Sequence, residues 1–434
     1  MLEGSLFCRR RSTILQIKGR SHSKIAKIDL AFYFGTPMCY NTTMKCDFDV
    51  IIIGGGVSGI VCALECACNK QVALIEAGEK IGKKILVSGN GRCNLSNEDI
   101  GVEHYNSEFV APILTRYDCQ KVRDKLLEYG LVTKSEEGRI YPYSESATAV
   151  LNVFLSALRR QGVCVMTKTL ATKIVPDEDG WRVVTDQGAF RADKVVLATG
   201  SKATFGLASY DLVKPLGIPT TALNPTLVAL KSKSVKGASG VRCKVQSYVE
   251  IDDVIYPTYK GEYLFKDGAI SGVLALIQSS HVARASRRGY KRCALHIDFV
   301  PDMTKKQLAS YIIDSYDPRG NMLEGLLHKA IVANIMAHVS MDRSLIMSDV
   351  KANAIAEKCK DYVADIEGTL GLSLAQAVCG GLSLDCFDDN TLESKTCRGL
   401  YATGEVLDVD GECGGYNIHW AIASGLAVAE DINA

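Results

Sequence analysis

The 434-residue chain has no apolar run long enough to cross a bilayer, which excludes a helical membrane span. It also lacks a dominant charge. Fifty Lys and Arg face 49 Asp and Glu, a formal net charge of +1. Nucleic acid and anionic membrane surfaces are therefore not expected as partners, because such binding runs on a surplus of cations. There is no internal repeat and no low-complexity linker. The 16 cysteines are scattered and lack the spacing of a disulfide-rich small domain, so they read as free thiols in a reducing, cytoplasmic setting. Cys62, Cys66 and Cys68 cluster on the first expected helix, but no second Cys/His pair lies nearby to complete a metal site, and packing is the reading. The length suits two or three domains.

Residues 1–46 differ from the rest. They carry Arg9, Arg10, Arg11, Lys18, Arg20, Lys24 and Lys27 with few acids and little periodicity. They read as a disordered extension, or as an artefact of start-codon choice ahead of Met44, with an organelle-targeting peptide as a weaker alternative.

What the chain does have begins at Asp49. An apolar run of strand length, Asp49–Ile53, leads into Gly54-Gly55-Gly56-Val57-Ser58-Gly59, and a helical pattern follows. A second apolar run, Gln71–Ile75, ends at Glu76. Strand, G-x-G-x-x-G, helix, strand and acid in that order suit a dinucleotide. Gly54 permits the sharp turn, Gly56 leaves room for a pyrophosphate, and Gly59 lets the helix approach the strand. The helix N-terminus offers unpaired N–H groups to phosphate, and Glu76 offers a carboxylate to ribose hydroxyls. Gly78–Asn97 then forms a glycine-rich loop in which Lys83, Lys84 and Arg92 can meet phosphate charge. Cys93 stands alone in that loop, with no partner for a dithiol relay, and reads as a packing residue.

Helical periodicity covers Lys121–Tyr129 and Ala147–Arg160. Strands are expected at Val163–Thr167, Lys173–Pro176, Trp181–Thr185, Ala189–Ala192 and Lys194–Ala198, the last ending at Thr199-Gly200. Residues 221–300 are rich in short strands (Leu227–Lys231, Cys243–Ile251, Gly261–Phe265, Ala294–Phe299), and 303–346 look helical with a break at Asp317-Pro318-Arg319-Gly320. Near the end, Gly399–Glu405 is a short strand closing on Gly404-Glu405. Gly414-Gly415-Tyr416-Asn417 then opens a helix from about Ile418 to Ile432. The strand end can present an acid to ribityl hydroxyls, and the helix N-terminus can face a flavin that becomes anionic on reduction. No second strand–G-x-G-x-x-G–helix exists, so there is no dedicated nicotinamide domain.

With these motifs in view, the chain resembles the BaiN/YhiN-like family of FAD-dependent oxidoreductases over about residues 47–434. The resemblance is carried by Gly82-Lys83-Lys84, Ser88–Asn97, Gly138–Pro142, Gly261–Phe265 with Ile270–Gly272, and Gly404–Gly411 with Gly414–Asn417. It implies an α/β fold: a discontinuous Rossmann-type FAD-binding domain (47–205 and 370–434) with a β-barrel insert (206–300 and 350–369) that carries a small helical subdomain (301–349). It implies FAD contacts at Gly54, Gly55, Gly56, Val57, Ser58, Gly59, Glu76, Arg92, Gly404, Glu405, Tyr416 and Asn417, and the loop cation Lys84 and the strand-end Gly200 are expected beside them by position. One segment departs from the family pattern, Ser201-Lys202-Ala203-Thr204-Phe205, where the substrate pocket is expected to differ.

The resemblance further implies a reductase of the conjugated C=C bonds of a 3-oxo-4,6-diene bile acid or its CoA thioester, with NAD(P)H as transient co-substrate. Such chemistry needs a proton donor to carbon, for which Tyr143, Tyr263, Tyr416 and His419 are candidates by position. For each, a packed aromatic or capping role is the plainer reading. Two alternatives stand beside it: an amine or aminoacetone oxidase that reoxidises its flavin with oxygen, and a flavin-binding protein without small-molecule turnover, such as an RNA-modification partner.

Overall fold

A computed structural model describes residues 47–203, 210–317, 322–339 and 347–434. The N-terminal extension, Thr204-Phe205 and Pro318-Arg319-Gly320 lie outside the described residues. The first strand, β1 (Phe48–Ile53), is buried from Val50 onward, as a strand covered on both faces must be. With α1 (Val57–Cys66) and β2 (Val72–Ile75) it forms a β-α-β unit. Cys62 and Cys66 are buried on α1, whereas Cys68 falls beyond its end and is exposed. The helix α2 (Ala147–Arg160) begins where the Ser146 side chain accepts the Ala149 N–H, and it leads to β3 (Cys164–Met166). An antiparallel meander follows: β4 (Ala171–Asp177), β5 (Gly180–Thr185) and β6 (Gly188–Leu197).

The sheet runs β3-β2-β1-β6-β5-β4. It is parallel across its first four members, with Ile51 opposite Ala73 on one side and Val195 on the other. The two strands expected at 189–192 and 194–198 are a single strand, β6. Its first half pairs antiparallel with β5, and its second half enters the buried parallel core. The apolar pattern therefore changes midway along one continuous strand.

The insert has a separate hydrophobic core. Its strands are β7 (Leu230–Lys231), β8 (Arg242–Ile251), β9 (Tyr259–Lys266) and β10 (Ala269–Ser271). A helix that the strand-rich pattern did not suggest, α3 (Val273–Ser286), comes next, followed by β11 (Cys293–Asp298). Helices α4 (Lys305–Asp314), α5 (Lys329–Ala337) and α6 (Asp349–Lys360) precede β12 (Tyr362–Asp365) and β13 (Gly368–Thr369). The sequence reading assigned residues 350–369 to the sheet, but α6 takes the first part of that span. Its buried Ala352, Ile355, Ala356 and Cys359 follow helical spacing. The sheet order is β12-β11-β8-β9-β10-β7-β13, and its two terminal strands are successive parts of one segment.

The chain then returns to the first sheet. β14 (Leu400–Ala402) lies parallel to β6, and α7 (Tyr416–Asn433) packs on α1. A Cβ at Gly425 would lie 2.7 Å from the Ser58 carbonyl oxygen, so the two helices cross at backbone contact. Two ion pairs join α3 and the residue following it to the segment entering α7: Arg284–Asp410 at 2.9 Å and Arg287–Asp408 at 2.7 Å.

Candidate functional site

The turn after β1 is set by close packing. Gly54 has φ +117°, and a Cβ there would sit 2.2 Å from the Ala198 carbonyl oxygen at the end of β6. Glu76, at the end of β2, accepts the Gly55 N–H at 3.0 Å and the Gly78 N–H at 2.6 Å. Its carboxylate is thereby held beside the N-terminus of α1. Gly56 caps that helix with no side-chain hydrogen bond, and its missing Cβ meets nothing within 4 Å.

These residues border a cavity of about 310 Å³. Gly54, Gly55, Gly56, Val57, Ser58, Glu76, Lys84, Gly200, Glu405 and Asn417 line it. The far wall comes from the turn into α7, Glu412 to Gly415, and from Gln376 and Ala377. Lys84 bonds the Glu405 carboxylate at 2.6 Å and reaches Ser201 Oγ at 3.5 Å, and Glu405 also accepts the Val378 N–H. The Asn417 side chain pins the turn by bonding the Gly411 N–H and carbonyl.

Four residues of the expected cofactor set do not line the cavity. Gly59 packs α1 onto the strand end, where a Cβ would lie 2.0 Å from the Gly54 oxygen. Gly404 packs against Ser58, and its N–H bonds Ser424. Tyr416 is buried beneath the turn, its carbonyl accepting the Tyr105 hydroxyl at 2.9 Å. Arg92 turns outward to Glu136 and Glu145 and stacks on Tyr141, with 4.1 Å from guanidinium carbon to ring centre. Those partners come from residues 133–145, a hairpin and the turn after it, of which the sequence singled out only Gly138–Pro142.

None of the four candidate proton donors lines the cavity either. Tyr143 is 70 % exposed. Tyr263 is buried inside the insert, where its hydroxyl meets Ser247 and Gln278. His419 is buried with Nε2 bonded to the Tyr117 carbonyl at 3.0 Å and Nδ1 to Ser96 Oγ at 2.8 Å. The first contact requires a donating Nε2, so Nδ1 accepts from the serine. Cys93 is buried, and burial lifts its thiol to about 11, as suits a packing residue.

Burial pushes the His419 imidazole down to about 4. The unfolded chain binds this proton from about pH 6.5 downward, so stability falls as pH drops from about 6.5 to 4. The full loss is roughly 3 kcal/mol at about 1.4 kcal/mol per pKa unit. His281, also pushed down to about 4 by burial and by Arg284, adds its own loss in the same window. His419→Gln is expected to flatten the acid limb by about 2–3 kcal/mol in urea unfolding curves taken across that range. An unchanged limb would remove His419 as its source.

The cavity fits a dinucleotide. Thr199 Oγ1 and Asn94 Oδ1 line it, and both oxygens are buried without a hydrogen-bond partner among the described residues. Gly56 leaves a bare backbone cradle at an uncapped helix N-terminus, and Lys80, Lys83 and Lys84 supply positive charge at the rim. Asn94 belongs to the glycine-rich loop that the sequence placed near phosphate, whereas no motif singled out Glu412. Both come from long-range loop contacts.

Within the insert, the Tyr259 hydroxyl lies 3.2 Å from His281 Nε2; burial raises this hydroxyl above its ordinary value, and the Glu412 charge adds to the rise while Arg284 opposes it. Among the described residues, no helix is long and apolar enough to cross a membrane.

The chain is 34% identical over 394 residues to the 3-dehydro-bile acid delta(4,6)-reductase of Clostridium scindens, covering 86% of this chain and 96% of that protein. It is 26% identical over 403 residues to the ribosomal RNA dihydrouridine synthase of Haemophilus influenzae, covering 88% and 98%. The Escherichia coli protein of the same name is 26% identical over 404 residues, covering 89% and 98%. The family model described as the HI0933-like protein Rossmann domain matches residues 48–431, and the chain belongs to that family.

Proposed function

We propose that this protein is an FAD-dependent reductase of carbon–carbon double bonds conjugated to a carbonyl, and that its substrate is a 3-oxo-4,6-diene bile acid or its CoA thioester. The observation that carries the reading is the cavity: the β1–α1 glycines, Glu76, the Lys84–Glu405 pair and the N-terminal turn of α7 converge on it. The 34% identity to a bile acid reductase over most of both chains supports the choice of substrate.

FAD, when bound, supplies hydride from its reduced form. The protein's own part is to hold and orient. The N-terminus of α1 would hold the phosphates, Glu76 would accept from ribose hydroxyls, and Glu405 from the ribityl chain. Thr199 and Asn94 offer oxygens to polar groups of the cofactor. Without a nicotinamide domain, NAD(P)H visits the same cavity. We read the insert sheet as a barrel closed where β12 runs on into β13, with α4–α6 as its helical subdomain. The free cysteines suit a reducing compartment such as the cytoplasm.

A second reading has its own support. Two relatives at 26% identity act, by name, on ribosomal RNA. A uracil ring also holds a C=C conjugated to a carbonyl, so the same hydride and proton transfer would serve. Incubation with NADH and either substrate, followed by mass spectrometry, separates them. Gain of two hydrogens per reduced bond is expected in the steroid. Gain only in RNA would move the assignment to RNA, and gain in neither would remove the reductase reading.

A further inference from the structure

We propose that Glu412 is a catalytic residue that hands a proton to the substrate carbon, and that His104 and Asp99 are positioning residues that resupply it from solvent. The inference rests on the reductase reading above. Three carboxylates line the cavity. Glu76 is engaged by two backbone N–H groups, and Glu405 by Lys84 and the Val378 N–H. Of the three, Glu412 is the one paired with an imidazole, which can take a proton at one nitrogen and release it at the other. Its Oε2 lies 3.1 Å from His104 Nδ1, and its backbone N–H donates to the His104 carbonyl at 2.9 Å. The two residues are thus held in register by main chain and side chain together.

On the other edge of the ring, His104 Nε2 lies 3.3 Å from Asp99 Oδ2, on a side chain 80% exposed. The imidazole stacks on Tyr416 with 4.3 Å between ring centres and 20° between planes, which fixes its orientation. A ring with an acceptor at each nitrogen can take a proton on one side and release it on the other. The line from solvent to cavity is therefore Asp99, His104, Glu412, one hydrogen bond at each step.

Other charged or titratable groups face this line. Glu103 approaches His104 Nε2 at 4.0 Å. Arg139 acts on Tyr416 and Cys413, and burial lifts both of those groups. From the insert, Tyr259 lies within reach of the Glu412 charge, next to Arg284 and the His281 ring.

The step balances. Hydride from the reduced flavin, a two-electron donor recharged by a nicotinamide, forms a C–H bond at the β or δ carbon and breaks the π bond. The displaced electron pair forms a C–H bond at the α or γ carbon with the proton from the Glu412 carboxyl group. Its carboxylate is then reprotonated by the His104 imidazolium, which draws a proton from Asp99 or water.

The test uses FAD-loaded wild type, Glu412→Gln, His104→Gln and the exposed control Glu103→Gln under anaerobic conditions. Glu412→Gln is expected to keep its flavin and its rate of reduction by NADH, but to be reoxidised by the 3-oxo-4,6-diene about 10²–10³-fold more slowly. His104→Gln is expected to lose about tenfold and one limb of the pH–rate profile, and Glu103→Gln to stay within about twofold. Reoxidation of Glu412→Gln at the wild-type rate would overturn the proposal. A second readout needs no substrate. The pH dependence of the flavin absorbance is expected to differ from wild type in both Glu412→Gln and His104→Gln, and an identical profile in either variant would overturn the relay. If wild-type flavin ignores the steroid, the reductase reading falls while the titration still decides the relay.

Discussion

Gly56→Val is expected to give a folded protein without flavin. A Cβ at Gly56 meets no protein atom within 4 Å, so the fold has room for it, but that room opens on the cavity where the pyrophosphate is placed. FAD affinity is expected to fall at least about 100-fold, roughly 3 kcal/mol. The unfolding midpoint of the flavin-free protein should match that of flavin-stripped wild type. Gly59→Val, one helical turn away, is expected to do the reverse. Its Cβ would stand 2.0 Å from the Gly54 oxygen and 3.1 Å from the Ala198 methyl, so α1 must leave the sheet. A loss of about 4 kcal/mol or more is expected there. Flavin absorbance of the purified proteins and denaturant unfolding together separate the two effects. Full FAD affinity in Gly56→Val would mean that the phosphates lie elsewhere.

Asp410→Ala is the second large effect. The Asp410 side chain is 0% exposed and bonds the Arg284 guanidinium, which is 28% exposed. Removing the carboxylate leaves a largely buried cation with only the residue-410 carbonyl as a partner. Such a loss costs about 3–5 kcal/mol in full burial. The partial exposure of Arg284 lets solvent recover some of it, and about 2–3 kcal/mol is expected. The double variant Asp410→Ala with Arg284→Met should regain much of the loss, because no charge is then stranded. Neighbouring Asp408 and Arg287 share the clamp, so the single changes should not add. Urea unfolding measures this directly. Wild-type stability in Asp410→Ala would show that the clamp holds nothing.

The parts of the fold legible in the sequence were those governed by local geometry. The β1–α1 turn, Glu76 at the end of β2, and α2 at Ala147–Arg160 follow from glycine spacing, apolar runs and caps. Helix α3 was not legible because its buried face includes Gln278, Ser279 and Ser280, which erase the apolar stripe. In the site, motif position alone put Arg92 at the cofactor. In the folded chain Arg92 pairs with Glu136 and Glu145, 44 and 53 positions away in sequence. Glu412 and His104 lie 308 positions apart, and only the folded chain brings them together.

The most direct test of reductase chemistry is to reduce the FAD-loaded protein with NADH without oxygen and mix it with a 3-oxo-4,6-diene bile acid while following flavin absorbance. Reductase chemistry predicts reoxidation on mixing, with a product saturated at the conjugated bonds. Flavin that stays reduced with the steroid, yet returns at once in air with release of peroxide, would contradict the steroid assignment.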